Sequence, residues 1–270
     1  MKIILNNKDL LNEIHHNENL GFVPTMGAIH EGHISLIKKS QINCKKTLVS
    51  IFVNPTQFNK KKDFENYPRN KKKDLLILKK LKVNYVFMPN TKDIYKKKRS
   101  KKIKLFKKDK ILCAKYRKGH FEGVLDIMDR LTNLIKPKKI FLGKKDFQQF
   151  ILVKKFIYNK YKIKVTGCTT IRDKNNIALS SRNRLLNKKQ LFIAAKIVND
   201  LILFKKKFKK SKNINYHLKK IKLKLKKDYK IKIEYLENRK NINLEKIDEF
   251  KKSKIFIAYY LKKVRLIDNL

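Results

Sequence analysis

The stretch Gly21–Ser35, GFVPTMGAIHEGHIS, decides how the chain reads. Gly21 to Pro24 has the character of a short buried strand and Thr25 to Gly32 that of a glycine-bearing loop. A helix is expected to open near His33, with Ile34, Leu36 and Ile37 starting its apolar face. Two histidines, His30 and His33, therefore fall where a strand hands over to a helix. In an open α/β sheet, ligands bind there, beyond the carboxyl ends of the strands. A helix start presents backbone N–H groups and the positive end of a dipole, so an anion, above all a phosphate, is the expected guest. Gly27 and Gly32 admit close backbone approach, and a neutral imidazole still donates one hydrogen bond. The stretch is expected to hold polyphosphate.

Outward from it, the pattern alternates strands and helices. Ile3 to Asn17 reads as a strand and a short helix. Thr47 to Val53, TLVSIFV, is the nearly continuous apolar run of a strand covered on both faces. Pro55 stops that ladder, so Asn54 and Gln57 are expected to point their amides into a cleft. A basic helix follows over Asn70 to Leu81, with Leu75, Leu78 and Leu81 on one face. Val83 to Met88 is a buried strand, and the lysine-rich region Asp93 to Lys110 holds at most a short strand at Ile103 to Phe106. Phe121, Val124, Leu125, Met128, Leu131 and Ile135 recur at helical spacing until Pro137. Strands at Lys139 to Leu142 and Ile163 to Val165 complete the first part. Beyond it, Asn187 and Gln190 form a capping box before a helix bearing Ile193, Ile197, Leu201 and Phe204. Ile214, Leu218, Ile221 and Leu225 mark a second helix, and Ile231 to Tyr235, Ile255 to Leu261 and Val264 to Ile267 read as strands. The expected architecture is α/β: a Rossmann-like parallel-sheet domain over residues 1–172, then a smaller α+β domain over 173–270 carrying a Ser-Ser-Arg loop at its start.

The 270 residues carry 71 Lys and Arg against 22 Asp and Glu, a net charge of +49. Such a balance ordinarily suggests nucleic acid or an anionic membrane. Here lysine is scattered through every segment, only nine of the basic residues are arginine, and no helix-turn-helix or aromatic-and-basic recognition motif stands out. The charge reads as a solvated surface, with non-specific binding to polyanions at low salt and no specific nucleic acid partner. No apolar run of about 18 residues occurs, and charges interrupt the first residues too early for a signal peptide. Three well-separated cysteines, Cys44, Cys113 and Cys168, fit a reducing compartment better than a disulfide framework. A cytoplasmic protein without membrane attachment is expected.

Any one of the singled-out residues is, alone, more often an ordinary loop or surface group; their joint spacing is what is specific. The sequence PTMG, His-x-Gly-His and an apolar helix resembles the signature of the adenylyl-transferring α/β superfamily that includes class I aminoacyl-tRNA synthetases. Within it, PTMGAIHEGHISL resembles the pantothenate synthetase (pantoate–β-alanine ligase) family. VNPTQF at 53–58, RKGHFEGV at 117–124, GKKDFQQ at 143–149, LSSRN at 179–183 and RLIDN at 265–269 carry the likeness across nearly the whole chain. Lys118 stands where the family has proline, Lys144 where it has glutamate, and Asn175-Asn176 where glycine is common. Asn also tolerates left-handed backbone, so that turn is expected to survive.

The resemblance implies that ATP is held by Met26, Gly27, Ala28, Ile29, His30, Glu31, Gly32 and His33 with Gly143, Lys144, Lys145, Asp146, Ile171, Leu179, Ser180, Ser181 and Arg182. His33, His30, Lys145 and Arg182 would be catalytic. Gln57, Asn54 and Gln149 would bind substrate, Gln57 meeting both pantoate and the incoming amine of β-alanine. Arg117 is a candidate phosphate or substrate contact. Two hydroxyls and a planar guanidinium at Ser180–Arg182 suit terminal phosphates. Mg²⁺ would bridge phosphate oxygens, without a dedicated protein site. A homodimer is also implied. The distant loops are expected to share one cleft. A different nucleotidyltransferase of the same fold is the nearest rival; it would share His-x-Gly-His but not obviously NPTQF and KDFQQ.

Overall fold

The computed structural model describes residues 1–14, 19–96 and 103–270. It divides into two compact units, one of Met1–Lys144 with Gln149–Thr170, the other of Lys145–Gln148 with Ile171–Leu270.

The first unit is built on six parallel strands, β1 (Lys2–Ile4), β2 (Leu20–Thr25), β3 (Lys46–Ile51), β4 (Tyr85–Phe87), β5 (Lys139–Gly143) and β6 (Lys164–Cys168). Their order across the sheet is β1-β4-β3-β2-β5-β6. β2 runs beside β3 from Leu20↔Lys46 to Thr25↔Ile51, and beside β5 through Gly21↔Lys139 and Phe22↔Ile140. From β2 the chain steps outward through β3 and β4, then returns to β2's other side as β5, so the order reverses between β2 and β5. The carboxyl ends at that reversal are where an open α/β sheet takes its ligand.

Apolar residues on both faces explain why these runs become central strands. Phe22, Val23, Leu48, Val49, Ile140 and Phe141 are wholly buried, each worth ~2–3 kcal/mol relative to exposure. One cluster joins Val23, Val49, Val86 and Phe141 to Leu36, Ile37 and Leu78, from the helices Glu31–Asn43 and Lys71–Lys80. The helix His120–Ile135 buries all six of its predicted apolar positions.

Two local expectations change. The helix after β2 starts at Glu31, two residues before His33, because the His30 side chain supplies the cap. Ile103 to Phe106 forms no strand: Leu105 is buried, but no ladder partners the segment among the described residues. Residues 15–17, expected to end the first helix, lie outside the described residues, as do 97–102; the described helix spans Asn7–Ile14.

In the second unit, β7 (Lys232–Lys240), β8 (Ser253–Leu261) and β9 (Val264–Asn269) form an antiparallel sheet in the order β7-β8-β9. The helices Lys188–Lys207 and Ile214–Tyr229 pack on it through Ile197, Leu201, Leu218 and Leu225 against Ile233, Ile255 and Ile257. Asn187 and Gln190 exchange reciprocal 2.9 Å bonds, closing the expected capping box. The runs of strands and helices are those anticipated. Among the described residues no helix is long and apolar enough to cross a membrane.

Candidate active site

At the carboxyl end of β2 the chain enters a turn in which Gly27 and Ala28 both have left-handed backbone, with φ of 79° and 52°. The turn delivers His30 to the N-cap of the helix Glu31–Asn43. Its Nδ1 accepts from the Gly32 amide at 3.1 Å, while its carbonyl accepts from the amides of His33 (2.8 Å) and Ile34 (3.0 Å). A backbone amide can only donate, so Nδ1 is the acceptor and a neutral His30 carries its proton on Nε2. The His33 ring lies 4.1 Å from the His30 ring, centroid to centroid and tilted by 35°. Two imidazoles this close do not readily both become cations, because like charge disfavours the second proton.

The amides of this loop are largely committed inward. Gly27 N–H reaches Thr25 Oγ1 at 3.2 Å, and Ala28 and Ile29 N–H each reach an oxygen of Asp74 at 2.8 Å. The helix start therefore binds its own cap rather than presenting those N–H groups as anion donors.

Asn54, expected to aim its amide into the cleft, is 1% exposed and bonded on every side. Its Nδ2 donates to Gln57 Oε1 (3.2 Å) and Gly123 O (3.1 Å); its Oδ1 accepts from Thr56 N (3.3 Å) and Tyr95 OH (2.6 Å). The reason is local: Asn54 caps the single 3₁₀ turn Pro55–Gln57. It thereby orients Gln57, whose Nε2 lies 3.0 Å from Met26 Sδ. A thioether is a weak acceptor, readily exchanged for a stronger oxygen.

The segment 117–124 supports the same turn. His120 Nδ1 lies 2.7 Å from Gln57 O, and Arg117 Nη1 lies 2.8 Å from His120 Nε2. A carbonyl only accepts and a guanidinium only donates, so this imidazole is neutral with its proton on Nδ1. Arg117, considered above as a phosphate or substrate contact, is engaged here. Gly123 faces the turn so closely that a Cβ would stand 2.4 Å from Thr56 O and 2.9 Å from Gln57 N. Gly123→Ala is accordingly expected to displace Pro55–Gln57 and to lower the thermal midpoint by about 4 °C or more; an unchanged midpoint would show that the turn has room to give.

Beyond β5, Lys144–Asp146 forms a 3₁₀ turn leading into the helix Phe147–Tyr161. Lys144, Gly143 and Gln149 belong to the first unit and are half-buried. Lys145 and Asp146 belong to the second, where Lys145 Nζ lies 3.4 Å from Asp146 Oδ1 and Asn269 Nδ2 donates to Lys145 O at 2.8 Å. Ile171 to Leu179 closes a small hairpin, with Leu179 N on Ile171 O at 3.0 Å and Asn176 at φ 69° as the anticipated left-handed residue. Ser181–Leu185 continues as a 3₁₀ turn, and Ser180 Oγ donates to Asn183 Oδ1 at 2.8 Å. Ser181 is buried, while Arg182 is half-buried and, among the described residues, makes no ion pair.

The described family Pantoate-beta-alanine ligase matches residues 2–270. The chain belongs to this family. Among pantothenate synthetases, that of Clostridium botulinum is 39% identical over 94% of this chain and 91% of its own length. That of Pseudothermotoga lettingae is 36% identical over 97% and 94%. The Thermus thermophilus pantothenate synthetase structure superposes with a TM-score of 0.93 at 26% identity, covering 100% of this chain and 99% of that one. The Francisella tularensis pantoate-beta-alanine ligase, complexed with beta-gamma ATP and beta-alanine, gives 0.86 at 36% identity over 100% and 97%.

Pantoate-beta-alanine ligase motifs account for most of the residues above, but not for Asp74 or Tyr95, which hold motif residues in place. Asp74 sits in Lys-Lys-Lys-Asp-Leu-Leu, where a lone carboxylate reads as solvated surface. Its one signal is position: it falls in the first turn of the helix Lys71–Lys80, beside the apolar stripe. The cysteines are poor nucleophile candidates, since burial pushes the Cys44 and Cys168 thiols up.

Proposed function

We propose that this chain joins pantoate to β-alanine at the expense of ATP, passing through pantoyl adenylate and releasing AMP and pyrophosphate. The observation that carries the reading is the close, tilted His30–His33 ring pair beyond the carboxyl end of β2, beside the reversal of strand order. Support comes from membership of the pantoate-beta-alanine ligase family and from the Francisella tularensis relative complexed with beta-gamma ATP and beta-alanine.

In the first step a pantoate carboxylate oxygen attacks the α-phosphorus and the bond to pyrophosphate breaks. The substrate supplies the nucleophile, so the protein's task is to set donors where charge gathers on phosphate oxygens. His30, through Nε2–H, and His33 are assigned to the nucleotide, together with Gly143 and Lys144. Lys145, Ser180, Ser181 and Arg182 of the second unit are assigned to the phosphates as well, Arg182 by a planar two-pronged contact. Gln57 exchanges its thioether contact for a pantoate oxygen and then meets the amine; Gln149 holds pantoate. In the second step the β-alanine nitrogen attacks the acyl carbon, AMP departs and the amine loses its proton.

The described residues contain no cluster of three or more His, Cys, Asp or Glu fit for a metal ion. Mg²⁺ is assigned to the nucleotide's phosphates as their companion, and no step above depends on it. A catalytic portion over 1–172 with a smaller one over 173–270, a cytoplasmic setting and a homodimer belong to the same proposal.

The test is ATP-to-AMP conversion with pantoate, with and without β-alanine. Sustained turnover is expected only when the amine is present. Turnover with a phosphorylated small molecule in place of both substrates would favour the rival nucleotidyltransferase reading.

A further inference from the structure

We propose that Asp74 is a positioning residue that fixes the His30–His33 pair through the backbone of the preceding turn; this rests on the ligase reading above. β2 ends at Thr25 and the helix begins at Glu31, so the chain must turn within five residues. It does so through two successive left-handed residues, and Ala28, with its Cβ, costs ~1–2 kcal/mol in that conformation. Backbone of this kind persists where the surroundings over-determine it.

Two adjacent amides turned the same way form a nest for an anion. The anion here is not a ligand. Asp74 reaches in from the helix Lys71–Lys80, placing Oδ2 2.8 Å from Ala28 N and Oδ1 2.8 Å from Ile29 N. Its residue is 1% exposed, and among the described residues no lysine or arginine pairs with it. In a chain with 71 basic residues, that leaves a carboxylate kept for two amides. Gly27 leaves it room, since a Cβ there would stand 3.0 Å from Oδ2. Charge-assisted bonds are about twice as strong as neutral ones, so removing the charged acceptor weakens the hold on both amides.

Ile29 precedes the capping histidine directly. A shift of the turn therefore moves the His30 ring, its bond to Gly32 and its contact with the His33 ring. Asp74 touches neither imidazole and acts only by holding the backbone that carries them.

Asp74→Asn tests this, because it keeps the size while setting an NH₂ group against an N–H donor. The expected result is a fall of ~10²-fold in kcat for pyrophosphate release from ATP and pantoate, as for an ångström-scale misplacement. The pantoate KM should stay within about threefold. In ¹⁵N-histidine spectra the His30 signal of an Nε2–H tautomer should give way to averaging. In hydrogen exchange, the Ala28 and Ile29 amides should be protected in the wild-type chain and lose much of that protection in the variant. Asp74→Glu, which restores the charge, should recover at least tenfold in kcat. Wild-type kcat with unchanged His30 signals, or Ala28 and Ile29 amides equally protected in the wild-type and Asp74→Asn chains, would overturn the proposal. So would an Asp74→Glu chain that folds yet recovers nothing. If the wild-type chain forms no adenylate, the ligase reading fails while the amide exchange and histidine spectra still judge the clamp.

Discussion

His33→Ala is expected to cut pantoyl-adenylate formation by ~10²–10³-fold, the usual loss when one preorganised donor is removed from a developing anion. The fold should survive. The His33 backbone keeps its bond to His30 O, the cap from His30 to Gly32 involves no His33 atom, and the ring is only half-buried. The measurement is pyrophosphate release with ATP and pantoate alone, which isolates the first step from amide formation. Release at the wild-type rate would remove His33 from the mechanism and leave His30 with the phosphate.

The second large effect is on stability. Arg172 grips Asp268 with both prongs, Nη1 to Oδ2 at 2.7 Å and Nη2 to Oδ1 at 2.9 Å, and also donates to Asn269 O and Asn176 O. It thus ties the hairpin that precedes Ser180–Arg182 to β9. The Asp268 side chain is only 5% exposed, so Arg172→Ala strands a buried carboxylate whose remaining contact is the Asn269 amide. Breaking such a pair from one side costs ~3 kcal/mol, and Arg172→Lys should recover only part of it because an ammonium cannot match the fork. Urea unfolding of the two variants measures both values. A loss below about 1 kcal/mol for the alanine variant would place the pair with ordinary surface ion pairs.

Much of the architecture was legible in local pattern. Apolar runs such as TLVSIFV announce strands covered on both faces, while the spacing from Phe121 to Ile135 marks one helix stripe. Asn187 with Gln190 marks a helix start, and both bonds form. Each of these signals is set by neighbours within a few residues, which is why it survives the heavy loading with lysine. Ile103 to Phe106 fails for the complementary reason: alternation alone makes no strand without a partner, and a partner is not a local property.

The spacing of His30 and His33, the glycine-bearing loops and the strand-to-helix transitions by themselves determined the class of fold and the candidate chemistry, because phosphate sites reuse helix starts and short periodic motifs. Only tertiary structure decided how those residues are held. Asn54 turns inward, Arg117 is spent on His120, and Asp74 fills the nest that an anionic ligand was expected to find. These contacts join residues 69, 3 and 45 to 46 positions apart. The two long-range ones exist because folding brings a donor and an acceptor together away from water. Arg117 and His120 need the carbonyl of Gln57 from 63 residues away to fix their tautomer. Satisfying buried polar groups is a property of the packed chain, and no periodicity in the sequence records it.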